Sequence, residues 1–102
     1  MRKLRYAKAA SQDLQEIAKF ITQEGEGITV AAQFVKKLRD RCERIASLPG
    51  TLGTARPDFG ETLRSSPHKA YVIFFRYTDD YLEIINILSA SRDVIAYFGV
   101  DE

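Results

Sequence analysis

Hydrophobic positions along this chain change their period from helical to strand-like about two thirds of the way through. Between Ala7 and Glu24 the apolar residues Leu14, Ile17, Ala18 and Ile21 fall at i, i+3, i+4 and i+7. Gln12, Asp13, Gln15, Glu16, Lys19 and Gln23 take the other positions, which predicts an amphipathic helix with one buried stripe. A second stripe, Ala31, Phe34, Val35, Leu38, Cys42, Ile45 and Ala46, predicts a helix over Ile28 to Ser47, with Pro49 and Gly50 marking its end. Gly25, Glu26 and Gly27 between them favour a turn over continued helix. So short a connection predicts an antiparallel helical hairpin.

The strand-like part is densest from Ala70 to Arg92. Tyr71 to Tyr77 is almost wholly β-branched or aromatic, Tyr81 to Leu88 is nearly as apolar, and Thr78, Asp79 and Asp80 separate them, which predicts a β-hairpin at the centre of the fold. A two-residue loop at Asp79 and Asp80 sets Arg76 opposite Glu83, Phe74 opposite Ile85 and Val72 opposite Ile87. This register is favoured because it pairs opposite charges. Arg2 to Tyr6 alternates and predicts a short first strand. Thr51 to Gly60 reads as a loop, Glu61 to Ser65 as a short edge strand, and Pro67 to Lys69 as a turn. Ser91 is positioned to cap a short terminal helix reaching about Phe98, with Asp93 in its first turn. The order β-α-α-β-β-β-α predicts an α+β fold, a helical hairpin packed on a mainly antiparallel four-stranded sheet, within one domain over residues 1–102.

Composition narrows the function classes. Apolar residues make up 45% and charged residues 28% of 102 positions, an ordinary globular balance. No apolar run is long enough to span a membrane, and the basic N-terminus MRKLRYAKAA lacks the apolar core of a secretory signal, so a cytoplasmic protein is expected. The net charge of +1 carries no global signal for nucleic acid. The single cysteine, Cys42, forbids an internal disulfide and cannot alone make a zinc site; its place on the second stripe reads as a packed core thiol. There is no glycine-rich phosphate loop, paired metal spacing or nucleophile elbow, so neither cofactor nor metal is expected. The remaining polar candidates, Arg56, Arg64, His68, Lys69, Arg76, Arg92 and Tyr97, are cationic or hydrogen-bonding groups suited to phosphates or an acidic peptide. His68 reads as an exposed turn residue. Arg92, at a strand-to-helix corner, either braces nearby carbonyls and Asp93 or holds a ligand.

Several segments in this order resemble the ParE branch of the RelE/ParE toxin superfamily of bacterial type II toxin–antitoxin modules. They are A-x-x-D-L-x-x-I at Ala10 to Ile17, S-L-P-G at Ser47 to Gly50, L-R-S at Leu63 to Ser65, Y-V-I-F-F-R at Tyr71 to Arg76, and L-E-I-I-N-I-L-S-A-S-R-D ending at Asp93. The resemblance implies a RelE/ParE-like fold and a toxin silenced by a ParD-like antitoxin whose segment orders on binding. ParE-like members are associated with DNA gyrase inhibition, whereas RelE-like members cut messenger RNA on the ribosome. Arg92 and Tyr97 match two positions of the ribonuclease set, which Lys69 or His68 would assist. The arginine expected after the tyrosine opening the third strand is replaced by Val72, which cannot stabilise a developing phosphorane. The resemblance therefore favours a gyrase inhibitor that acts by protein binding, with Arg56, Arg64, His68, Lys69, Arg76 and Arg92 as target- or antitoxin-binding candidates. A ribosome-dependent ribonuclease, or a degenerate toxin that keeps only antitoxin binding, is the alternative. Ser89 and Asn86 also depart from the family, standing where many members carry histidine and some carry arginine.

Overall fold

In a computed structural model the structure describes residues 2–91. Strand β1 (Lys3–Tyr6) leads into helix α1 (Lys8–Ile21), which passes through one wider helical turn, Thr22–Glu26, and reverses into helix α2 (Ile28–Ser47). Gly25 and Gly27 hold φ of 87° and 90°, the left-handed region that glycine reaches without steric cost. Strands β2 (Thr54–Ala55), β3 (Arg64–His68), β4 (Tyr71–Tyr77) and β5 (Tyr81–Ser89) follow, in a sheet ordered β1-β5-β4-β3-β2. The α+β class and the helical hairpin agree with the sequence pattern. The predicted terminal helix, with Arg92, Asp93, Tyr97 and Phe98, lies outside the described residues.

The sheet itself has five strands and is mixed, where four mainly antiparallel ones were expected. β1 runs parallel to β5, with Lys3 opposite Tyr81 and Tyr6 opposite Ile84. The extra strand is the two-residue β2, which pairs Thr54 with Ser65 and Ala55 with Arg64 inside the segment read as a loop. Two residues give no periodicity to read. β3 also sits three residues later than expected, and Pro67 lies within it, opposite Val72. The turn is instead Lys69–Ala70, with Lys69 at a φ of 57°. Proline is accommodated because β2 covers β3 only at Arg64 and Ser65, leaving the edge beside Pro67 open.

The β4–β5 register is right at its turn end and shifted beyond it. Arg76 faces Glu83 as predicted, but Phe75 pairs with Ile84 and Phe74 with Asn86, so Ile85 is an extra residue, a β-bulge. From there Ile73 faces Ile87 and Val72 faces Leu88. The bulge changes which residues point towards the helices. Leu82, Ile84 and Ile87 join Ile73 and Phe75 in the main core, with Ala10, Leu14 and Ile17 of α1 and Leu38, Cys42 and Ile45 of α2. On the opposite face Phe74, Leu88 and Leu63 form a smaller cluster with Val72, Ile85 and Phe59 around it.

Asp13 locks this shift in place. The helical pattern groups it with the polar positions of α1, yet its Oδ2 accepts hydrogen bonds from the backbone N–H of Ile87 and from Nδ2 of Asn86, both at 2.9 Å. β1 stops pairing with β5 at Ile84, and Ala7 N–H donates to Ile84 O at the point where the chain turns into α1. Asp13 thus satisfies β5 backbone past the end of its parallel neighbour. We expect Asp13→Ala to lower unfolding stability by about 2–4 kcal/mol, because it leaves Ile87 N–H and the buried Asn86 amide without this acceptor. Asp13→Asn, which keeps one oxygen, should lose about half as much. Urea denaturation of the two variants tests this, and equal losses would contradict it.

Candidate functional site

The sequence-predicted cations are not gathered into one site; alternation along β3 and β4 distributes them over two faces and two ends of the sheet. Arg56 lies on the face away from the helices. Its guanidinium stacks over Phe59 at 4.8 Å and sits 5.9 Å from the centre of Phe74, while Nη1 donates to Ser65 Oγ at 3.3 Å. Arg76 is on β4, exposed, and bonded to Glu83 at 2.7 Å; Arg5 reaches the other oxygen of the same carboxylate at 3.3 Å. Two cations therefore share one anion across β1, β5 and β4, so a surplus positive charge remains there. Exposed pairs of this kind contribute under about 1 kcal/mol.

Arg64 is committed internally. Its Nε donates to Leu52 O at 2.7 Å and its Nη2 to Gly53 O at 2.9 Å, and Leu52 N–H donates to the Tyr77 hydroxyl at 2.9 Å. These bonds fasten the segment after α2 onto the end of the sheet, so Arg64 holds β2 in place and is not a free cation. Gly53, at a φ of 75°, comes so close to β3 that a Cβ would stand 2.6 Å from Ser65 O and 2.8 Å from Phe75 Cζ. Gly50 has a similar φ of 76° but open space around it. Gly53→Ala should therefore cost about 2–4 kcal/mol, from left-handed strain plus backbone overlap, and Gly50→Ala about 1 kcal/mol. Thermal or urea unfolding of both variants separates the two contributions; equal losses would mean that the loop moves freely off β3.

His68 is not the exposed turn residue that its neighbourhood in sequence suggests. It is the last residue of β3, half-buried, with its ring edge-on to Phe34 of α2 at 6.2 Å. Burial, and then the charges of Lys69, Arg41 and Lys37, hold its pKa below the ordinary value of 6.5. As pH falls, the unfolded chain therefore binds this proton first. The contribution to stability is complete above about 6.5 and is lost as pH drops towards the lowered folded value. Between pH 7.5 and 5.5, His68→Gln should accordingly lose less stability than the parent protein. A parallel pH dependence for the two would contradict this.

Cys42 has no solvent exposure, and burial pushes its thiol up to about 11, in keeping with a packed core residue. Val72 sits half-buried in the apolar cluster of Leu63, Phe74 and Leu88. Sequence reasoning missed Asp13, Asn86, Arg41 and Ser66 as bonding groups. The signal for the first two was present: an aspartate beside the apolar stripe of α1, and one amide inside an otherwise apolar strand. Arg41, which donates from Nη2 to Ser66 Oγ at 3.1 Å, stands among the charged positions of α2, where spacing gives no sign of a partner on the sheet. Among the described residues no cluster of histidine, cysteine, aspartate and glutamate could hold a metal ion, and no helix is long and apolar enough to cross a membrane.

The arrangement of two helices on one face of a mixed sheet recurs in a solved structure of the chromosomal ParDE TA system from P. aeruginosa. The TM-score is 0.74 at 19% identity, over 87% of this chain and 96% of that one, a likeness of fold. The sequence matches the profile of the ParE toxin of type II toxin–antitoxin system, parDE, over residues 4–94. This chain belongs to the ParE toxin family. No curated protein sequence matches it.

Proposed function

We propose that this toxin inhibits DNA gyrase by binding it, in the cytoplasm, and is held silent by a ParD-like antitoxin. The observation that carries the reading is Val72. Where the ribonuclease branch needs a cation, this chain packs a half-buried valine against Leu63, Phe74 and Leu88, and an apolar cluster offers nothing to a developing phosphorane. The same face presents Arg56 at one side and the Arg5–Arg76–Glu83 group at the other, a rim better suited to protein contact than to acid–base chemistry. Arg56, His68, Lys69, Arg76 and Arg92 remain the proposed contacts with target or antitoxin. Arg64 joins them only indirectly, by holding the β2 segment.

Antitoxin binding is supported by apolar surface on the helical hairpin. A groove of about 400 Å³ between α1 and α2 is lined by Leu14, Ala18, Ala32 and Val35 and edged by Lys36 and Arg39. Near the turn of the hairpin Phe20, Ile28 and Val30 are 54%, 77% and 42% exposed. Surface of this kind is covered at low cost by an amphipathic segment that orders on binding.

A gyrase supercoiling assay with purified toxin, with and without the protein encoded beside it, tests the proposal. We expect inhibition or trapped cleaved DNA, reversed by the neighbour and weakened by Arg56→Ala or Arg76→Ala. Toxin that binds its neighbour yet leaves gyrase untouched at micromolar concentration would overturn the target. Ribosome-dependent cleavage of a reporter RNA, abolished by Arg92→Ala or Tyr97→Phe, would replace it with the ribonuclease reading.

A further inference from the structure

One end of the molecule carries positive charge that the described protein does not neutralise. Phe34, Lys37 and Arg41 follow one another at i, i+3 and i+7 along α2 and so share a face. Ser66 and His68 share the helix-facing side of β3, and Lys69 occupies the turn that follows. The Arg41–Ser66 bond joins the two elements, and the Phe34 ring closes against His68 and against Tyr71 at 5.6 Å.

Within this junction two polar atoms, Arg41 Nε and His68 Nε2, are buried without a hydrogen-bond partner among the described residues. Buried polar atoms are normally satisfied by protein, water or a bound ion. Neither Lys37, Arg41 nor Lys69 takes part in an ion pair among the described residues, whereas Lys36 and Arg76 do. All three cations act on the imidazole, and no carboxylate among the described residues offsets them. Lys69 is moreover the only non-glycine described residue at positive φ, and this conformation places it in the turn directly after His68.

We propose that Lys37, Arg41 and Lys69, gathered around Ser66 and His68, form a binding site for a phosphate group. Three cations with no counter-charge among the described residues favour a dianion over a carboxylate or chloride, and a guanidinium held at the sheet by Ser66 gives the site direction as well as charge. The site stands apart from the Val72 face, and although His68 and Lys69 are also proposed partner contacts, its test needs neither gyrase nor an antitoxin.

His68 is the chain's only histidine, which makes it a reporter free of overlap. The experiment follows its imidazole resonances by NMR in tag-free protein at pH 7.5, titrating inorganic phosphate against sodium chloride of matched ionic strength. The expected result is a saturable shift with phosphate alone, and a rise in the His68 pKa when phosphate is bound, because a nearby anion favours the imidazolium. Lys37→Gln and Lys69→Gln, exposed positions whose loss leaves packing intact, should each weaken binding roughly three- to tenfold. Arg41→Gln should abolish it. Equal responses to phosphate and chloride, acetate acting as well as phosphate, or affinity unchanged in the double lysine variant would each overturn the site. A short single-stranded DNA with a 5′-phosphate, compared with the same strand without it, identifies the source of the phosphate: a preference for the phosphorylated strand assigns the site to a terminal phosphomonoester, and equal binding of the two strands would overturn the preference for a dianion.

Discussion

The carboxylate of Asp13 is the constraint from which the rest of the sheet follows. β5 carries an extra residue at Ile85, and without a partner for the backbone beyond it the ladder would strand an amide N–H against the body of α1. Asp13 supplies that partner from the helix itself, so the position of α1 on the sheet and the register of the hairpin are set by the same pair of hydrogen bonds. Charge-assisted bonds to backbone are stronger than neutral ones, and here they decide parity along a strand. With the bulge in place Ile87 points into the main core and Leu88 away from it. Without it, strict alternation from Ile84 would exchange the faces of Ile87 and Leu88.

That dependence explains how much of the fold could be read from the chain. Both helices, their shared turn and the central hairpin carry long periodic patterns, and helix α2 begins and ends where its stripe and Pro49 predict. Arg76 and Glu83 meet because they stand close to the hairpin turn, before any irregularity can accumulate. The bulge was illegible because a run such as Leu82 to Leu88 is apolar at almost every position and so accepts either parity. β2 was too short to show a period. Pro67 was read as a breaker on its local rule, and the rule yields where a strand edge is uncovered.

The candidate cations show the same division between local rule and tertiary use. Residue type alone grouped Arg56, Arg64, His68, Lys69 and Arg76, and nothing in their spacing told which would be consumed by the fold. Arg64 spends its donors on the carbonyls of Leu52 and Gly53, and Arg76 spends its on Glu83. Arg56 sits over the rings of Phe59 and Phe74, a contact that the weakly hydrated guanidinium makes more readily than a strongly hydrated ammonium. Val72, by contrast, was legible as a departure from the ribonuclease pattern, since the loss of a cation needs no three-dimensional context to be noticed.

A net charge of +1 argues against a polyanion partner only if the charges mix evenly, and here they do not. Asp40 is used by Lys36 and Glu83 by two arginines, so neither of these two acids offsets the cations of the α2–β3 junction. Lys37, Arg41 and Lys69 then act together on one half-buried imidazole with no opposing charge among the described residues. Over a Debye length of about 8 Å at physiological salt, a ligand meeting this end of the molecule responds to those cations rather than to the sum over the chain. Local charge of this kind is set by which acids the tertiary fold has already paired, information that composition averages away.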